Sequence, residues 1–262
     1  SLDNLGSSGA LPGADFSARE VLRLAWPLFQ QTLLRCLPLG VVAAAASAMP
    51  NAEAAARRIA GAPQHDREWW MLLVAVTALV LICYGAVLRI QLYQARGEPQ
   101  DVMAALRSAF ASLPATLAFL LMAFAPLLPP AMWIAMRGSG LIGTLLLLAA
   151  VAGVMLMFFG WPAIVAQGLS PWAAARRSIL LVRSRYLQVL AVVGLLLASV
   201  LVFALLASIF IGSVIMLAGP AAQSSPNWLA ASRWLMAGVL ALPIIYAGAV
   251  SIAARHGWPE RR

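Results

Sequence analysis

The chain has 262 residues, 63% of them hydrophobic and 10% charged, with a mean hydropathy of +0.88 and a formal charge of +9. A soluble domain carries about 25% charged residues, so this composition excludes a water-covered globule and requires lipid over much of the surface. All 18 basic residues are arginine; in a membrane chain such an excess gathers at cytoplasmic headgroups, and no nucleic-acid partner is expected.

In chain order, residues 1–15 are rich in Gly, Ser and Pro and read as a flexible cytoplasmic tail with no cleavable signal sequence. Phe16 to Val21 then opens a helix, with Ser17 and Glu20 as a capping box and Phe16 against Val21 as a hydrophobic staple. Six segments have the roughly 20 apolar residues needed to cross a bilayer: Leu33–Met49, Trp70–Tyr93, Ala115–Ala135, Leu141–Pro162, Leu187–Leu217 and Leu229–Ala253. Pro126, Pro129 and Pro130 predict a kinked or unwound outer end for the third. The fifth is long enough to tilt, or to continue along the surface after Gly212. Residues 254–262 read as a second cytoplasmic tail.

Orientation follows from the arginines. With the N-terminus cytoplasmic, the outer side holds Arg57, Arg58, Arg67, Arg137 and Arg233, and the other thirteen of the 18 lie inside. Trp69, Trp70, Trp133, Trp228 and Trp234 then mark the outer interface, and Trp26, Trp161, Trp172 and Trp258 the inner one. This places a multi-pass protein in a bacterial inner membrane with both termini cytoplasmic.

Two further helix starts face the same side. Glu98-Pro99 precedes Val102, Leu106 and Phe110 around Arg107, and Ser170-Pro171 is an N-cap followed by proline. Leu22-Arg23-Leu24-Ala25-Trp26 aligns with Leu106-Arg107-Ser108-Ala109-Phe110 and, more loosely, with Arg176-Arg177-Ser178-Ile179-Leu180. The expected fold is therefore all-α: a six-helix transmembrane bundle over 16–253, built as three parallel repeats (about 16–93, 98–162 and 170–253) of an interfacial amphipathic helix plus a hairpin. Arg19, Arg23, Arg107, Arg176, Arg177, Arg183 and Arg185 are candidate contacts for anionic lipid headgroups; the alternative is that these helices are capped connectors flooring the bundle.

Signs of chemistry are sparse. All nine acidic residues lie in tails or connections, which weighs against a carboxylate proton relay. His65 and His256 fall on opposite sides of the membrane, so they share no metal or dyad, and no GxSxG, HExxH or P-loop pattern occurs. Cys36 and Cys83 lie in apolar runs and read as buried thiols. Ser199, Ser208 and Ser213 read as partners of backbone carbonyls or as points of close helix approach. Arg89 sits near the inner end of the second span, where it snorkels or meets an anion. Gln167 and Gly168 stand where the fourth span turns, as cap or cavity mouth. A non-enzymatic protein without metal or cofactor is expected, engaging lipid, a protein partner or a second copy of itself; the rival is a transporter or permease component for a lipid or other amphiphile.

The segment Ala163-Ile164-Val165-Ala166-Gln167-Gly168, then Ser170-Pro171-Trp172 through Arg176-Arg177-Ser178, then Arg183-Ser184-Arg185-Tyr186, resembles a turn shared by bacterial six-helix membrane proteins of the YciC-like type. The membrane domain attached to some glycerophosphodiester phosphodiesterases shares it, and Val21 to Trp26 resembles that group's first interfacial helix. The resemblance implies an inner-membrane six-helix fold. Relatives place Glu where Gln167 stands, so no carboxylate role carries over, and the phosphodiesterase catalytic domain is absent from this sequence.

Overall fold

A computed structural model of the chain describes residues 18–61, 66–137, 140–183, 185–223 and 226–256. Every regular element among them is helical: α1 (Ala18–Ile59), α2 (Arg67–Ala95), α3 (Val102–Ala111), α4 (Leu113–Phe124), α5 (Leu128–Arg137), α6 (Leu141–Leu156), α7 (Gly160–Gln167), α8 (Pro171–Arg183), α9 (Tyr186–Gln223) and α10 (Pro226–His256). Six stretches are long and apolar enough to cross a membrane: Arg19–Ile59, Arg67–Ala95, Leu113–Ile134, Leu141–Val165, Tyr186–Val214 and Trp234–Ala254. Both expected tails, and the Phe16 and Ser17 features, lie outside the described residues, although α10 already covers Ala254 to His256.

The inner three helices, α1, α2 and α10, pack tightly. Small residues let them do so. A Cβ on Gly40 of α1 would lie only 3.0 Å from the Cβ of Ala241 in α10, and one on Gly85 of α2 would lie 3.3 Å from that of Ala109 in α3. Lipid offers apolar surfaces nothing to flee, so close backbone approach and interhelical hydrogen bonds hold such bundles. Gln91, fully buried, supplies one of them by donating from Nε2 to the Ile245 carbonyl at 2.9 Å. Gly248 makes room beside it, since a Cβ there would collide with Gln91 Oε1. The two cysteines are buried and free, and the hydroxyls of Ser199, Ser208 and Ser213 bond the carbonyls of Leu195, Ala204 and Ile209.

Departures from the expected pattern have local causes. The amphipathic opening and the first span are one continuous 42-residue helix that passes through Pro27, Pro38 and Pro50. Between Trp26 and Leu33 only Pro27 could interrupt the helix, and no glycine stands there to turn the chain. By contrast, Gly97 (φ 77°) separates α2 from α3 and Gly168 (φ 62°) separates α7 from α8, each in the left-handed region that glycine enters without strain. A 3-10 turn at Ala125–Leu127 divides α4 from α5, where the prolines predicted a break. In the fifth span, α9 runs straight past Gly212 and bends at Gly219 (φ 76°); Pro220 follows, and proline disfavours a helical residue before it.

Candidate functional site

The start of α1, the ends of α2 and α7, and α3 and α8 meet at one end of the bundle. Arg35 of α1 donates to Gln94 Oε1 of α2 at 3.4 Å, Gln94 reaches Gln31, and Arg89 of α2 donates to the Val165 carbonyl of α7 at 3.4 Å. On this face Arg19, Arg23, Arg107, Arg176 and Arg183 are exposed. Arg177 is half-buried and donates to Gln167 Oε1, tying α8 back to the end of α7. Arg185 is also half-buried, with Nη1 enclosed. Large apolar side chains stand exposed beside these arginines, at aligned positions: Trp26 (53% exposed), Phe110 (66%) and Leu180 (62%), with Met103 and Trp172 alongside.

Gly168 ends α7 in the left-handed conformation, its N–H bonded to the Ile164 carbonyl, and Ser170-Pro171 starts α8 as its sequence predicts. Arg89, Gln167 and Gly168 therefore build or brace the turn, and none of them is among the residues lining the cleft at the seam between the inner helices and the interrupted α4 and α6–α7. That cleft holds about 710 Å³. Its walls include Ala43 and Ala44 of α1, Leu81, Tyr84 and Leu88 of α2, Phe119 and Ala123 of α4, Met155, Trp161 and Pro162 of α6–α7, Val200 of α9, and Pro243 and Ala247 of α10. Hydroxyls are few: Ser47, and Tyr84 partnered with Ser251. Trp161, expected among the interfacial tryptophans, lies half-buried with its ring 4.7 Å from that of Tyr84.

Trp161 reaches this position because the fourth span breaks between α6 and α7. Pro162 has no N–H and crowds the preceding turn, but within the first turn of α7 it is tolerated. At the break the Gly160 N–H, which an unbroken helix would direct to the Leu156 carbonyl, bonds Met157 instead at 2.9 Å. Ser178 of α8, fully buried, replaces it: its hydroxyl donates to the Leu156 carbonyl at 2.8 Å and accepts from the Phe159 N–H at 3.1 Å. Sequence reading gave Tyr84 no role, and named Ser178 only within the turn motif and Trp161 only as an interfacial tryptophan. The available signals were a serine inside the Arg-Arg-Ser string and a Gly-Trp-Pro run ending an apolar segment.

At the opposite end Arg57 binds three carboxylates, Glu53 at 2.8 Å, Asp66, and Glu68 at 3.2 Å. Asp66 also caps α2, accepting from the Trp69 N–H at 2.9 Å. These residues clamp the α1–α2 link; His65 lies outside the described residues. The Trp69 N–H first, and Arg57 second, hold the Asp66 carboxyl below its ordinary value of 3.8. A folded-state value below the unfolded one contributes stability that is present above 3.8 and lost as pH falls through the folded value. Amide exchange at Trp69 and Trp70, taken relative to the intrinsic rate at each pH, is thus expected to be flat above pH 3.8 and to accelerate below it. Asp66→Asn, which keeps a capping oxygen, should remove that rise; an unchanged profile in the variant would refute the assignment.

Neither a known protein family, nor a curated protein, nor a solved structure matches the chain.

Proposed function

We propose that the protein is a non-enzymatic bacterial inner-membrane protein, both termini cytoplasmic, that engages anionic lipid through the arginine-bearing faces of α1, α3 and α8. One observation carries this reading. Exposed arginines alternate with exposed Trp26, Phe110, Leu180 and Trp172 at the end of the bundle where the helices turn. Side chains of that kind lower their apolar parts below the headgroups and keep guanidinium at phosphate depth. The arginine asymmetry of the connections gives the orientation, and the resemblance of the Gly168 to Ser178 turn to YciC-like proteins points to the same membrane. The matching positions of Arg23 and Trp26, Arg107 and Phe110, and Arg177 and Leu180 support three repeats of a common unit, the first fused to its span.

Native mass spectrometry of the protein, extracted with its own membrane, tests the reading. Arg176→Gln with Arg183→Gln is the informative pair, because Arg177 also braces the turn. At about 1 kcal/mol for each arginine near an anionic surface, the pair should weaken a retained anionic lipid roughly thirtyfold. Retention of bulk lipid only, or of a stable protein partner in its place, would sink it. A second reading, a permease component for a lipid or other amphiphile, has its own support in the interrupted third and fourth spans beside the cleft.

A further inference from the structure

The geometry points to the seam cleft as a site for one acyl chain, its oxygen-bearing end toward Trp161. This deepens the lipid reading, on which it rests, by naming the part of the lipid that enters the fold. The cleft holds about 710 Å³, inside the roughly 300–1,000 Å³ typical of small-molecule sites. Its walls are almost wholly aliphatic and aromatic, so water gains too few partners to fill it. A helix of a partner or of a second copy is too wide. At a diameter of about 10 Å, less than two turns would use up the whole volume. A hydrocarbon chain is narrow, apolar and abundant on every lipid-facing side of the bundle.

One end of the cleft tells which end of the amphiphile lies there. Trp161 lines the cleft, and its Nε1 is enclosed with no hydrogen-bond partner within the protein. An indole N–H is a donor only, so it calls for an acceptor oxygen: an ester carbonyl, a phosphate or a carboxylate. That donor therefore marks the end of the cleft where the headgroup would stand.

The test uses the full chain in nanodiscs containing phosphatidylglycerol or phosphatidylcholine with a diazirine midway along one chain, and in parallel a diazirine-bearing free fatty acid. Crosslinks are expected on cleft-wall peptides of α2, α4 and α10, saturable and competed by excess unlabelled lipid. Ala247→Phe and Val200→Phe, which add bulk to the cleft from α10 and α9, should each reduce them several-fold. Labelling spread evenly over the outward faces of α6 and α9, or labelling that unlabelled lipid cannot compete, would overturn the site without depending on any variant. Arg176→Gln with Arg183→Gln separates the two ideas. If that pair leaves the phosphatidylglycerol preference intact while the Phe variants abolish labelling, the chain site stands and the headgroup reading falls. Stronger labelling by the fatty acid than by either phospholipid would identify a carboxylate as the source of the oxygens.

Discussion

Ser178→Ala is expected to destabilise the protein by about 1–3 kcal/mol, the range for orphaning a buried hydrogen-bonding group. The side chain is fully buried and holds both sides of the α6–α7 break, the Leu156 carbonyl and the Phe159 N–H. Interhelical bonds in membranes average about 0.6 kcal/mol and reach about 1.7, so two of them lost together fall in the same range. Ser199→Ala is the natural control. Its hydroxyl only doubles the bonding of the Leu195 carbonyl within one exposed helix face, so its change should stay within about 0.5 kcal/mol. Denaturant titration in mixed micelles compares the two, and equal losses would show that Ser178 is no brace. The loss should also loosen α7, and Trp161 with it, raising amide exchange at residues 157–161 before global unfolding.

What could be read in advance was whatever the chain decides locally. Apolar length set the six spans, three prolines set the break after Phe124, and a serine-proline pair after Gly168 set the start of α8. The errors came where a tertiary partner decides. An interfacial helix separate from the first span was expected, yet α1 is continuous through Pro27, Pro38 and Pro50, packed against α2 and α10. For the fifth span, length allowed either a tilt or a surface continuation after Gly212; α9 runs on as helix to a bend at Gly219, which a proline follows. The arginine face was legible because charge excess is a property of composition. The cleft was not, since a void depends on how α4, α7 and α10 lean together, and no spacing within one helix encodes that. Ser178 shows the limit most clearly. Next to two arginines in an amphipathic string it reads as a solvated residue, and only the break 19 residues earlier gives its hydroxyl something to hold.

Gly160→Ala is expected to cost about 1–3 kcal/mol, as overpacking of a filled site does. A Cβ at Gly160 would collide with the edge of the buried Phe119 ring, so that ring has to leave its rotamer and swing into the cleft to relieve the clash. The better helix propensity of alanine opposes this by at most about 1 kcal/mol, so the steric term wins. Gly153→Ala, on the same span with nothing within 4 Å of the added carbon, isolates the propensity gain and should be neutral or stabilising. Phe119→Leu removes the obstructing edge of the ring. In a Gly160→Ala background it should therefore cost less than it does alone, with a coupling of about 0.5–3 kcal/mol in a double-mutant cycle. Additive losses would mean that the two residues do not meet. Because Phe119 and Trp161 both line the cleft, the same substitution should also weaken chain labelling there while leaving the Arg57 clamp at the other end unaffected. That separation distinguishes a displaced α7 from a bundle that has simply come apart.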